Sequence, residues 1–262
     1  MICVAVRCGA LPKLLCSLFM IDGELQIGLW NVEYASIRTR KGALLAPMIA
    51  SLSPELLCLT EGHANLLPDF GHVITSEGDY GYYKYPEARK VLLWSRTPWA
   101  QVDTEGTAGM PKGRFIAGTT ETSLGTLRIF GVCIPWHEAH VRSGYKNRKL
   151  WEDHLTYLRE LAPILRNCNT SIPAVVMGDF NQRVPRRWQP QEVYDALMGA
   201  LSPKFEAVTS GVIEDAPAHT IDHVAVSHHL RRKSVRYISN LAEDGKELSD
   251  HFGLQVTLAS AG

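Results

Sequence analysis

The sequence predicts an α/β (α+β) fold in which two facing β-sheets carry helices on their outer sides. Three observations carry that reading. Short apolar runs that turn abruptly polar recur along the chain, which is how strands buried on both faces of a covered sheet look in sequence. Two halves each mix such runs with helical stretches, and hairpins close one of them. At 262 residues and 45% hydrophobic content the chain can bury a substantial core, and sandwiches of this length are commonly one domain. No linker divides residues 21–262, so they are expected to form a single domain.

In chain order, Leu25–Asn31 is an apolar run ending in an amide, and 35–52 carries Leu44, Leu45, Met48 and Ile49 as a helix that stops at Ser53-Pro54. Leu56–Glu61 is a second buried run, ending in an acid. Residues 72–102 read as short strands with Gly and Pro punctuation, Lys90–Ser95 being the clearest. Residues 114–121 and 126–134 form a hairpin about Ser123-Leu124-Gly125. A long helix is expected from Tyr145 to about Asn167, with Leu150, Trp151, Leu155, Leu158, Leu161 and Leu165 on its apolar stripe and Pro163 as a kink point. Ala174–Gly178 is the most apolar strand, bounded by Pro173 and followed by Asp179, Phe180 and Asn181. A helix near 191–201 and strands at 221–226, 235–238 and 254–258 complete the pattern.

Formal net charge is zero, which argues against a uniformly basic surface that coats nucleic acid while leaving room for a local basic site. The cysteines at 3, 8, 16, 58, 133 and 168 show no spacing of a zinc site or a disulfide framework. Reduced, buried thiols are expected, and with them a cytoplasmic location. Residues 1–20 resemble a signal peptide with a short apolar core and no cleavage site, and are too short to cross a bilayer. They are taken as an extension outside the fold, with Met20 as an alternative start.

Asp179 and Asn181 at a rigid strand end can aim an acceptor and a donor at one substrate, or simply close the strand as an Asx turn. The same event recurs at Asn31, at Glu61, at Asp222 and at the Ser249-Asp250-His251 element. In this order, with Gly178-Asp179-Phe180-Asn181 and Ser249-Asp250-His251 as the most specific parts, the chain resembles the endonuclease/exonuclease/phosphatase superfamily from about Leu25 to Leu258. That resemblance implies a four-layer α/β sandwich with its site at one end of the sheets. It also implies phosphate-ester hydrolysis with Mg2+ or Mn2+, hard ions that suit oxygen ligands.

By resemblance Asp179 orients and deprotonates the attacking water, Asn181 bonds the phosphate, and His251 donates to a phosphate oxygen with Asp222 holding its imidazole. Glu61 and Asp250 would bind the metal, with Asn31 near the ion or the phosphate. The plain alternative for Glu61 is an N-cap of the following turn. One departure stands out: Cys133 occupies the position of the family's phosphate-contacting tyrosine or histidine, and a thiol is a poor donor. Either the site tolerates the loss, or His137 or His140 reaches back; a surface role is the plain reading of both.

Arg142, Lys146, Arg148 and Lys149, and likewise Arg183, Arg186 and Arg187, fall in loops after site-bearing strands, where they can focus positive potential or simply face water. Arg231, Arg232, Lys233 and Arg236 are read as plain surface. Trp136, Tyr145 and Trp188 among these charges can stack bases or sugars, whereas Trp151 is assigned to the core. The favoured reading is a monomeric phosphodiesterase acting on nucleic acid or nucleotides without stable membrane insertion. The runner-up is a phosphatase or phospholipid phosphodiesterase on the same scaffold. A binding protein without catalysis is disfavoured, since it has no physical reason to keep mutually repelling carboxylates together.

Overall fold

A computed structural model describes residues 23–82, 85 and 87–262. The expected extension at 1–20 lies outside these residues. Among them are strands β1 (Leu25–Asn31), β2 (Leu56–Gly62), β3 (His72–Thr75), β4 (Arg89–Ser95), β5 (Trp99–Asp103) and β6 (Phe115–Thr122). The chain continues through β7 (Gly125–Cys133), β8 (Ala174–Asp179), β9 (Phe205–Ala207), β10 (Asp222–Ser227), β11 (Leu230–Ile238) and β12 (Gly253–Ser260). Helices are α1 (Arg40–Ser51), α2 (Glu152–Arg166) and α3 (Gln191–Leu201).

The strands form two six-stranded mixed sheets, ordered β11-β12-β1-β2-β4-β3 and β5-β6-β7-β8-β10-β9. Alternation along each strand sorts the apolar residues into three clusters. Leu25, Ile27, Leu29, Cys58, Leu93, Ile129, Val175, Met177, Val224 and Val256 face each other between the sheets. Trp30, Leu57, Leu59 and Trp94 pack against Leu45 and Ile49 of α1 on one outer side. Phe130, Val176 and Ala225 pack against Leu158, Leu161 and Leu197 of α2 and α3 on the other. The result is a four-layer α/β sandwich, the fold expected.

Helix starts differ from the sequence reading for local reasons. Helix α1 begins at Arg40 because Thr39 caps it, its side chain accepting from the Gly42 N–H at 3.1 Å. Helix α2 begins seven residues later than expected. Trp151, with φ of 65°, interrupts the path, and Arg148 turns back to Asp153 at 2.7 Å while Glu152 accepts from the Lys149 N–H at 2.8 Å. Leu150 is therefore exposed, and Trp151 sits half-buried at the helix start rather than in the core. The helix runs on through Pro163 to Arg166. Strand β9 escaped the sequence reading because three residues carry no period.

Two sheets aligned this way bring the ends of β1, β2, β7 and β8 and the start of β10 to one edge of the sandwich. Parallel pairing of β1 with β2 sets Asn31 beside Thr60, and parallel pairing of β7 with β8 sets Cys133 beside Asp179. Antiparallel pairing then sets Asp179 beside Asp222. Gly178 makes the β7–β8 contact possible: at φ of 143°, a Cβ there would lie 1.8 Å from the Val132 carbonyl oxygen. Gly178→Ala is accordingly expected to cost about 2–4 kcal/mol of stability, measurable as a lowered urea midpoint. An unchanged midpoint would refute the close-approach argument.

Candidate active site

A cavity of about 450 Å³ opens at this edge, lined by residues of both sheets, including Asn31, Glu61, Lys90, Arg114, Asp179, Asn181, Asp250 and His251. Of the expected site residues only Asp222 and His137 do not line it, and Asp222 stands directly behind His251.

Asp179 is 2% exposed and accepts three hydrogen bonds: from the Asn181 N–H at 2.8 Å, from Asn181 Nδ2 at 2.9 Å and from Asn31 Nδ2 at 3.1 Å. The first is an Asx turn, so both readings of Asp179 and Asn181 hold at once: the turn closes the strand and fixes the carboxylate. Asn181 Nδ2 also donates to the Ile134 carbonyl at 2.9 Å, which ties the turn to the end of β7. Burial and the neighbouring Asp222 raise Asp179 to about 7.

His251 Nδ1 meets Asp222 Oδ2 at 2.6 Å. Burial disfavours its charge, but Asp222, Asp179 and Asp250 together outweigh this and lift His251 to about 10, so the imidazole is protonated at neutral pH. The loop carrying it is pinned: Ser249 Oγ donates to the Asn31 carbonyl at 2.6 Å, and Trp30 Nε1 donates to the His251 carbonyl at 2.9 Å. Among the described residues Asp222 Oδ1, which is buried, has no hydrogen-bond partner.

Glu61 is held by a feature the sequence reading missed. Lys90, beside it on β4 and 5% exposed, donates to Glu61 Oε1 and to the Tyr34 hydroxyl, and the rings of Tyr34, Tyr80 and Tyr82 lie 5.0, 5.3 and 5.7 Å from its ammonium. Although burial opposes its charge, Lys90 and Arg114 keep the Glu61 carboxyl below its ordinary range. An apolar strand run had hidden Lys90; the clue was a lysine opposite an acid-terminated strand. Glu33, Tyr34, Glu61 and Asn181 all line the cavity with φ between 46° and 57°, a concentration of left-handed backbone that marks functional edges.

The residues present suit a hard divalent cation. Glu33, Glu61 and Asp250 bring carboxylates to one cavity, and Asp250 is raised by burial together with Glu33 and Glu61. That excess negative charge fits oxygen coordination of Mg2+ or Mn2+. A second grouping, Asp179, Asp222 and His251, brings possible ligand atoms within 4.8 Å of one another. The protonated, Asp222-bound imidazole makes His251 a donor rather than a ligand, so the Glu61 and Asp250 side is the better fit.

His137 is a correction. Its ring packs against Trp136, Trp151 and Trp188, with centroids 5.1, 5.3 and 5.4 Å away, and it does not line the cavity. His140 lies in an adjacent cavity, where its Nδ1 accepts from the Tyr145 N–H at 3.0 Å. Neither supplies the donor that Cys133 lacks. Cys133 is 1% exposed and burial pushes its thiol up to about 12. Among the basic residues of these loops, Arg148 is committed to Asp153, and Arg183 lines a neighbouring groove that shares Asp250 and His251 with the cavity. Arg231, Arg232, Lys233 and Arg236 lie exposed on β11 at the edge of its sheet.

The Lys90–Glu61 pair is nearly buried, with side chains 6% and 22% exposed. Removing one partner leaves a desolvated charge, discounted here because Glu61 faces the cavity. Lys90→Met should cost about 2–3 kcal/mol, and adding Glu61→Gln should return most of it. A double-mutant cycle in urea measures the coupling, and additivity of the two changes would refute it.

The model of the Endonuclease/Exonuclease/phosphatase family matches residues 28–251. No curated protein matches. Among solved structures, an AP endonuclease from Archaeoglobus fulgidus is similar at TM-score 0.65 and 17% identity, over 88% of this chain and 98% of that one. D. rerio TDP2 complexed with single strand DNA product is similar at TM-score 0.65 and 15% identity, over 90% and 99%. The 3′ phosphatase NExo from Neisseria bound to product DNA hairpin is similar at TM-score 0.63 and 19% identity, over 88% and 98%.

Proposed function

The chain belongs to the Endonuclease/Exonuclease/phosphatase family, and from that premise we propose that it is a metal-dependent phosphodiesterase acting on nucleic acid or nucleotides. The observation that carries the reading is the joining of Asp179, from one sheet, to Asn31 of the other in a cavity that also holds His251, Glu61 and Asp250.

Asp179 holds a water and takes its proton as the water oxygen bonds to phosphorus and the ester oxygen leaves. Asn31 and Asn181 fix the direction of that carboxylate. His251, kept protonated and oriented by Asp222, donates to a non-bridging oxygen as charge builds there. Glu61 and Asp250, with Asn31, would hold Mg2+ or Mn2+, which when bound neutralises phosphate charge.

Nucleic acid is favoured over lipid by an aromatic shelf. Trp136, which lines the cavity, is 39% exposed and Trp188 is 57% exposed. With His137 and Trp151 they form a continuous group of rings beside the cavity, next to the arginine-rich loop at 183–187. Planar bases stack on such surfaces, at about 1–3 kcal/mol each.

With magnesium or manganese present, the protein is expected to hydrolyse single-stranded DNA, abasic duplex DNA or RNA in preference to sphingomyelin or an inositol polyphosphate. Exhaustive chelation should abolish turnover; full activity without a divalent ion would refute the metal assignment. Asp179→Asn should lose more than about a thousandfold in kcat, or ~4 kcal/mol of transition-state stabilisation, with the melting temperature kept. A variant retaining a tenth of wild-type kcat would remove Asp179 from its role. Trp188→Ala should raise KM for an oligonucleotide at least fivefold and leave a bis-aryl phosphodiester unaffected. Equal effects on both substrates would discount base stacking.

A further inference from the structure

Behind Asp179 and Asn181 lies a chain of buried polar groups that the reaction scheme above does not use. Gln182 follows Asn181 directly and is 2% exposed, and His154, on α2, is fully buried. Gln182 Nε2 donates to the Val193 carbonyl at 3.0 Å and lies 2.7 Å from His154 Nε2, while His154 Nδ1 lies 2.6 Å from the Pro135 carbonyl. The Gln182 carbonyl in turn meets His223 Nε2 at 3.0 Å, and His223 Nδ1 meets the Thr209 hydroxyl at 3.0 Å.

These contacts admit one placement of protons. A carbonyl can only accept, so His154 Nδ1 carries the proton and Nε2 is left as an acceptor for the Gln182 amide. Burial lowers His154 to about 4, which keeps the ring neutral. The amide cannot turn over, because its oxygen would then face the Val193 carbonyl and the His154 lone pair. It holds this orientation although Gln182 Oε1 has no hydrogen-bond partner among the described residues, and a buried acceptor without a partner is costly. The fold bears that cost at the residue next to Asn181.

The bonds also close on themselves. Asn181 Nδ2 donates to the Ile134 carbonyl at 2.9 Å, Ile134 leads into Pro135, His154 holds Pro135, Gln182 holds His154, and Gln182 is joined to Asn181. Two members of this ring adjoin the working parts: Asn181 donates to Asp179 from both its backbone and its side chain, and Pro135 precedes Trp136 of the aromatic shelf. The His154 ring stands edge-on to Trp151 of the same shelf, with centroids 5.0 Å apart. Hydrogen bonds restrain direction as well as distance, and supports of this kind hold a reacting group to its productive geometry.

We propose that His154 and Gln182 are positioning residues, which together set the Asp179–Asn181 turn relative to the aromatic shelf and so aim the Asp179 carboxylate at a substrate whose base rests there. The proposal rests on the phosphodiesterase reading, and one arm of its test needs no turnover.

That arm is amide hydrogen exchange of the full chain, read by mass spectrometry on fragments covering 134–137 and 179–183. His154→Leu removes both contacts of the ring, and Gln182→Met removes the amide with little change of volume and serves alone if His154→Leu does not fold. Leu161→Ala, on the same helix but facing the apolar core, controls for lost stability. Both ring variants should exchange about tenfold faster in these fragments, and Leu161→Ala no faster than wild type. Hydrolysis of bis(p-nitrophenyl) phosphate in millimolar magnesium is the second arm. Each ring variant should lose about thirtyfold in kcat with KM within about twofold, since a misplacement near 1 Å can cost ~100-fold. The two changes together should cost little more than either alone, because they break one contact. His154→Gln, whose terminal oxygen can stand where Nε2 stands, should recover most of the kcat, and Leu161→Ala should keep it. Unchanged exchange at 179–183 in the ring variants, or equal acceleration in Leu161→Ala, overturns the assignment. A loosened turn with wild-type kcat does so too. Loosening confined to the ring variants, in a chain that cleaves no phosphodiester, supports the positioning of the turn and sinks the phosphodiesterase reading.

Discussion

Two hydrogen bonds between the sheets, Asn31 to Asp179 at 3.1 Å and His251 to Asp222 at 2.6 Å, hold the working edge of this protein together. The first joins a strand of one sheet to a strand of the other, and the second ties the loop before β12 to β10 of the opposite sheet. Between them and the far edge the two sheets meet mainly through apolar side chains, which fix spacing but not direction. Polar contacts supply direction, because a hydrogen bond weakens steeply as its angle fails. The apolar core brings the strand ends close, and the polar pairs decide which way their carboxylates face.

Charge at this edge is balanced in a particular way. Asp179, Asp222, Glu61, Asp250 and Glu33 would repel one another if left alone, and Asp179 and Asp250 are raised first by burial and then by these acidic neighbours. Lys90 answers Glu61, and His251 answers Asp222. Arg114 adds to the positive charge beside Glu61 and forms no ion pair among the described residues.

Much of this was legible in the sequence. The buried strands announce themselves by apolar runs, and the residues at their ends, Asn31, Glu61, Asp179, Asn181, Asp250 and His251, were found because strand ends are where polar residues interrupt those runs. The helix start at Glu152 was not, since a left-handed Trp151 and the Arg148–Asp153 contact override an apolar stripe that continues through Leu150. Trp151 reads as core and stands half-buried at a helix start instead, and of the readings open for His137 the fold does not adopt the one that reaches the cavity. Both belong to the ring cluster with Trp136 and Trp188, and no local pattern encodes which rings will meet.

By itself the sequence determined the sandwich, the order of its strands in the chain and the residue types that end them, because burial period and strand termination are local properties of a few residues. It also exposed the missing donor at Cys133. Only the tertiary structure decided what stands beside that position. Arg114 is 19 residues away in sequence from Cys133 and Lys90 is 29 from Glu61, and strand register sets each pair side by side. Register is fixed by the packing of whole sheets, and so the cations that complete the site stay hidden until the sheets are assembled.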